Sequence, residues 1–241
     1  MIDNEKVLVL IPARSGSKGL PGKNTTELCG RPLLGWPIKA AKESIYVDRI
    51  VVSTDDPEIA AVAVSQGAEI PFIRPEELAM DQSSSASVIE HAISFLAEKG
   101  DTFSYLILLE PTSPLTDAED IDKALLTLHS KRHLADSIVG VSKLEGTHPV
   151  FNVVFDKDGL IKPFMKPEFE SVFRRQDVED VFFFEGSLYI SDLSVFLKKM
   201  TFYHGRTLPY IVPKWKSFEV DDIVDFKIIE ALMIAKERGE I

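Results

Sequence analysis

Residues 11–24, IPARSGSKGLPGKN, gather three glycines, two prolines, one arginine and two lysines directly after the apolar run KVLVLI at 6–11. Gly16, Gly19 and Gly22 allow backbone N–H groups to approach an anion closely, and Arg14, Lys18 and Lys23 bring positive charge to it. That is the chemistry of a phosphate-holding loop. The pattern G-x-x-x-x-G-K-[ST] of a Walker A loop fails, because Gly16 and Lys23 have the wrong separation and Asn24 follows the lysine; the G-x-G start of a dinucleotide fingerprint is missing too. The competing reading is a solvated Gly/Pro loop with incidental charges. His91, His129, His133, His148 and His204 show no paired spacing and read as structural or surface residues rather than metal ligands.

The background sharpens the contrast. The chain has 241 residues, 45% of them hydrophobic, enough for one domain with a sizeable core. Its formal charge is −11, so most of the surface repels nucleic acid and a basic cluster in one loop gains meaning. The single Cys29 excludes an internal disulfide and a thiolate zinc site, which suits a reducing cytoplasm. The N-terminus reads as a strand rather than a signal peptide, and no run approaches the roughly 18 apolar residues a membrane helix needs.

Short β-branched runs alternating with amphipathic stretches position the loop. KVLVLIP (6–12), RIVVST (49–54), AEIPFIR (68–74), FSYLILLE (103–110) and DSIVGVS (136–142) read as strands. Helices are predicted over 31–44, 57–67, 84–100 and 116–131, the third opened by serine caps and the fourth by acidic residues. This is an α/β, Rossmann-like, mostly parallel sheet flanked by helices, which presents ligands at the carboxyl ends of its strands. Residues 1–241 read as a single domain. From about 143 to 204 the pattern changes, with a hairpin around Asp158-Gly159 and a strand over 182–191, and reads as a small inserted α+β dimerisation region. A strand over 208–213 and a closing helix over 220–239 return to the α/β pattern.

P-A-R-x-x-S-K-G-L-P-x-K-N after a first strand resembles the acylneuraminate cytidylyltransferases, the CMP-N-acetylneuraminic acid synthetases. The resemblance continues through RIVVSTDD, RPEELAMDQSSS, LLEPTSPL, HPVF, GSLYIS and SFEVDD in the family's order, over essentially the whole chain. It implies a nucleotide-diphospho-sugar transferase type of fold and a Mg²⁺-dependent nucleotidyltransferase. In this reaction the anomeric hydroxyl of a nonulosonic acid attacks the α-phosphorus of CTP, giving a CMP-sugar and pyrophosphate. By similarity Arg14, Lys18 and Lys23 hold the phosphates, while Asn24, Arg74 and Ser85 contact the nucleotide. Ser83–Ser85 equally cap the next helix, and Arg74 equally suits a surface ion pair. In a strand-like segment Glu219 and Asp221 project to one side and can share one Mg²⁺; the alternative is an acid-rich helix start.

Glu219 departs from the aspartate usual in the family, being longer by one methylene, and three more departures concern the sugar. Glu110 replaces a usual glutamine, Thr116 a common arginine, and Phe151 stands where a basic residue can occur. Glu110 can join the metal shell, take the proton from the sugar hydroxyl or contact the substrate, the first two being roles closed to glutamine. Arg175 matches an arginine near the substrate and Tyr189 a ring lining the sugar. Phe202 and Tyr203 match an aromatic pair that reaches into a neighbouring subunit, so a homodimer is expected, with no nucleic-acid or membrane partner. N-acetylneuraminate is the favoured sugar, with legionaminic, pseudaminic, amino-substituted and Kdo-like acids as rivals. A reading from another class is a non-catalytic nucleotide- or sugar-binding regulator of the same fold.

Overall fold

The computed structural model describes residues 1–16, 19–146, 148–165 and 178–241; Lys18 and Arg175 lie outside them. In chain order the elements are β1 (Val7–Pro12), β2 (Glu27–Leu28), β3 (Arg31–Pro32), α1 (Gly35–Glu43), β4 (Arg49–Ser53), α2 (Pro57–Gln66), α3 (Ser85–Glu98), β5 (Tyr105–Leu109), α4 (Ala118–Ser130), β6 (Ser137–Lys143), β7 (Val153–Phe155), β8 (Ile161–Pro163), β9 (Phe182–Asp192), α5 (Leu193–Lys199), β10 (Thr207–Ile211) and α6 (Ile223–Glu237).

Successive side chains of a strand face opposite ways, and the sequence uses both faces. Val7, Val9 and Ile11 of β1 enter one apolar cluster with residues of α1, α2 and α4, while Leu8 and Leu10 enter another with α3 and α5. β5 divides in the same manner, Tyr105, Ile107 and Leu109 against Leu106 and Leu108. Strands buried on both sides belong to a helix-covered parallel sheet. The main sheet has the order β10-β6-β9-β5-β1-β4; β1 is parallel to β4 and β5, and β10 to β6, while β9 is antiparallel to both neighbours. The α/β expectation therefore holds. A third cluster packs α6, through Phe226, Ile229 and Met233, on Leu28, Leu33, Leu115 and Val220.

Side chains fix where helices begin. Asp56 caps α2, Ser84 caps α3, and Asp117 and Asp222 form capping boxes for α4 and α6, each cap worth about 1 kcal/mol. Two local expectations change. Residues 68–74 do not form a strand: Glu69 makes one bridge to Val51, and Pro71, which has no N–H to give, ends the ladder. Residues 31–34 are not helical, because Cys29 and Gly30 adopt positive φ in a tight turn joining β2 to β3.

The stretch 143–204 divides in two. β7 and β8 pair with each other across Asp156–Leu160, apart from the main sheet. By contrast β9 sits between β5 and β6, with α5 packed behind it through Leu193 and Phe196. Being antiparallel, β9 brings its first half to the edge where β1, β4 and β5 end. No helix among the described residues is long and apolar enough to cross a membrane.

Candidate active site

The loop after β1 is built inward from its ends. Ala13 N–H donates to Ser53 O (2.9 Å), and the buried Asn24 donates its side-chain amide to Arg14 O (3.0 Å). The Asn24 amide nitrogen is thus engaged in holding the loop closed. Gly22 takes a φ of 69°. At Gly19 a Cβ would collide with the carbonyl of Asp221, so the missing side chain serves close packing against the SFEVDD segment. Arg14 reaches out of the loop to Asp81 (2.7 Å), in the RPEELAMDQSSS stretch.

Lys23 turns inward and donates from Nζ to Val220 O (3.0 Å). Burial lowers its pKa, opposed by the charges of Asp221, Glu219 and Glu110. These residues converge from three elements: the loop after β1, the end of β5, and the segment before α6. Val220 N–H to Thr112 O (2.8 Å) joins the last two.

Residues 217–221 form no strand, yet Glu219 and Asp221 do lie within each other's field. Burial raises the Glu219 pKa and the Asp221 charge raises it further, against Lys23. Asp222, rather than Asp221, caps α6, which leaves the exposed Asp221 carboxylate available. Glu219 is seated against Gly186, where any Cβ would overlap Glu219 Oε1. Hard oxygen donors with mutual repulsion and a seat that requires glycine fit a small divalent cation that keeps several waters. Among the described residues no group of three potential ligands forms a closed metal site.

Arg74 is not a surface residue: it is 4% exposed, donating from Nε to Ser53 Oγ (3.0 Å) and from Nη2 to Ser53 O. Its backbone N–H donates to Thr54 O (2.8 Å), which sets it beside the end of β4. Ser84 takes the cap of α3, so Ser85 is free of that duty and lines a recess with Glu110, Tyr189, Phe202 and Tyr203. The recess measures about 200 Å³. Phe202, expected at an interface, is buried in its own chain's core, its ring 5.4 Å from that of Tyr189 and 4.7 Å from that of Phe196. Tyr203 remains exposed. Phe151 is exposed and lines a different pocket with His148 and Lys143, and Thr116 is buried beside Leu115 and Trp36 in a third.

Glu110 stands half-buried at the carboxyl end of β5, and burial, reinforced by Glu219, raises its pKa to about 7 against the pull of Arg74 and Lys23. A second carboxyl was missed by sequence reasoning. Glu185 is 2% exposed; its Oε1 accepts from the Ser187 hydroxyl and N–H, and its Oε2 has no partner among the described residues. It occupies the space above Gly140, at the irregularity between Val139 and Val141 in the β6–β9 pairing. The available signal was an acid beside a glycine inside an apolar strand, FFFEGSLYIS.

Burial lifts the Glu185 pKa to about 7, opposed by Ser187 and helped by Glu219 and Asp120. A carboxyl whose folded pKa exceeds its unfolded one stabilises the fold fully below about pH 4.3, and that contribution is lost as the pH rises towards the folded value. Glu185→Gln is expected to reduce the fall in the urea midpoint between about pH 5 and about pH 8. Glu110 contributes in the same direction and leaves a residue of the effect. An unaltered pH profile in the variant would mean that Glu185 ionises freely in the fold.

The Cytidylyltransferase family profile matches residues 8–238. An N-acylneuraminate cytidylyltransferase of Escherichia coli O18:K1:H7 is 32% identical over 236 residues, covering 98% of this chain and 54% of that protein. The chain thus spans about half the length of that relative. A CMP-N,N'-diacetyllegionaminic acid synthase of Legionella pneumophila is 33% identical over 229 residues, covering 95% of this chain and 96% of that protein. Among solved structures, a CMP:2-keto-3-deoxy-manno-octonic acid synthetase complexed with CTP superposes with a TM-score of 0.69 at 16% identity, over 96% of this chain and 99% of that one. That likeness is one of fold.

Proposed function

The chain belongs to the cytidylyltransferase family, and we propose that it joins CMP from CTP to a keto acid sugar of the nonulosonic type, releasing pyrophosphate. The anomeric oxygen forms a bond to the α-phosphorus as the bond from that phosphorus to the oxygen bridging the α- and β-phosphates breaks, that oxygen leaving with pyrophosphate, and the hydroxyl proton leaves to solvent or a base. The observation that carries this reading is Lys23, held at the carboxyl edge of the sheet among Glu110, Glu219 and Asp221. One cation amid carboxylates suits a site whose ligand brings both phosphate charge and a metal.

In this reading Lys23 and Arg14, with Lys18, grip the triphosphate, and Lys23 stabilises charge developing on the departing pyrophosphate. Arg14 exchanges Asp81 for a phosphate oxygen. Arg74, anchored through Ser53, and Ser85 flank the nucleotide. Glu219 and Asp221 would hold Mg²⁺, which when bound neutralises phosphate charge. The recess beside Glu110 receives the sugar, whose carboxylate is left to Arg175. Pyrophosphate release on mixing the protein with CTP, Mg²⁺ and a panel of keto acid sugars tests the proposal. No release with any sugar, alongside tight CTP binding, would favour a regulator that only binds nucleotide.

The protein is further proposed to act in the cytoplasm as a homodimer joined through the β7–β8 hairpin. Phe155 is 75% exposed, with Leu160, Ile161 and Phe164 of the hairpin region and Phe184 of β9 also open to solvent, apolar side chains that a partner chain would cover. Phe155→Ser combined with Phe184→Ser is expected to shift the mass measured by light scattering from two chains to one. A wild-type protein of monomer mass would dispose of this interface.

A further inference from the structure

Among the described residues, the recess beside the site is lined by one charged group, Glu110. Glu110 makes no side-chain hydrogen bond or ion pair among the described residues, although two cations are near. Arg74 donates from Nε and Nη2 to Ser53 and Lys23 donates to Val220 O. Around this carboxylate stand aromatic rings: Tyr189 and Tyr203 are nearly perpendicular, at 87° with centroids 6.1 Å apart, and Phe202 lies 5.4 Å from Tyr189 at 37°. Ser85 and Thr201 add hydroxyls at the rim. The volume, about 200 Å³, suits a substituent or side arm of a sugar rather than a nucleotide.

A carboxylate backed by aromatic faces is the chemistry that recognises an ammonium group. The rings attract a cation through their quadrupoles, and the carboxylate accepts its charge-assisted hydrogen bonds. The same recess disfavours a substrate carboxylate by like charge, and an amide carbonyl placed there offers the carboxylate no second donor. Resting on the cytidylyl-transfer reading, we infer that the recess selects keto acid sugars carrying a free primary amine over their hydroxyl or N-acyl counterparts, with Glu110 as the residue that makes the choice. The change Glu110→Gln puts a neutral amide in the same space, which is why this position decides the class of sugar.

The test compares kcat/KM for pyrophosphate release with CTP across matched keto acid sugars. N-acetylneuraminate is paired with its derivative bearing a primary amine for the terminal hydroxyl, and Kdo with the corresponding terminal amine. A diacetylated legionaminic acid is paired with its form lacking the side-arm acetyl group. In at least one pair the amine is expected to be favoured by about tenfold or more, the preference falling to near unity in Glu110→Gln and persisting in part in Glu110→Asp. Calorimetric titration of the same sugars reads the recess without turnover and is expected to show the same order. Neutral or acylated forms matching or exceeding the amine in every pair would overturn the inference, and so would a preference unaltered in Glu110→Gln. Absence of pyrophosphate with every sugar strikes the underlying reaction instead, and the binding order then decides the recess by itself.

Discussion

Lys23→Met is expected to lower kcat for pyrophosphate release by about 100- to 1,000-fold, the loss typical of removing one preorganised donor from a developing negative charge. Methionine keeps most of the volume and removes the cation. Among the described residues the lysine side chain makes one hydrogen bond, to Val220 O, so the backbone around it retains its other ties, Leu33 N–H to Thr26 O and Leu34 N–H to Asn24 O among them. The electrostatic consequence is larger than the structural one. Lys23 opposes the upward shifts of Glu110 and Glu219, so its loss raises both carboxyl pKa values further. The variant should therefore show its rate maximum at higher pH as well as a lower ceiling. Lys23→Arg, with a longer and planar head that does not fit the approach to Val220 O, should restore little. A rise in KM for CTP with kcat unchanged would show instead that Lys23 binds substrate and transition state equally, which raises no turnover.

The loop after β1 was legible because its chemistry is local: glycines and cations crowded at the end of an apolar strand. The long, strongly patterned elements were legible for the same reason. What sequence could not show was who meets whom. Gly19 reads as backbone freedom for an anion, but its neighbour is the Asp221 carbonyl, almost the whole chain away. Gly186 and Glu219 likewise explain each other only once β9 lies in the central sheet. The placement of β9 is a non-local pairing, and nothing in the period of FFFEGSLYIS says whether its partners are a local hairpin or β5 and β6. For Arg74 a surface ion pair stood open beside a nucleotide contact, because arginine is usually exposed; its burial is made tolerable by the Ser53 hydroxyl and carbonyl, which no spacing rule links to it. The serine run was ambiguous between cap and ligand, and the fold divides the work, with Ser84 capping and Ser85 facing the recess.

The carboxylate pair gives the second large effect. Asp221→Asn and Glu219→Gln are each expected to raise the Mg²⁺ concentration for half-maximal activity by about 10- to 100-fold, at least the loss seen when a supporting group of a metal site is removed. Neighbouring Asp222→Asn is the discriminating comparison. Its carboxylate accepts from Val224 and Asp225 N–H at the start of α6, so the change touches the cap, where asparagine is nearly as good, and the Mg²⁺ dependence should stay put. Gly186→Ala reaches the same pair from beneath, since the added methyl must displace Glu219 and also strains a φ of 80°. It should reproduce the Glu219→Gln shift in Mg²⁺ dependence together with a lowered Tm, whereas Glu219→Gln, which relieves a carboxyl burdened by burial and by Asp221, should not lower Tm at neutral pH. If both Asp221→Asn and Glu219→Gln titrate with Mg²⁺ as the wild type does, the cation sits elsewhere and the acid pair serves only to hold Lys23 in place.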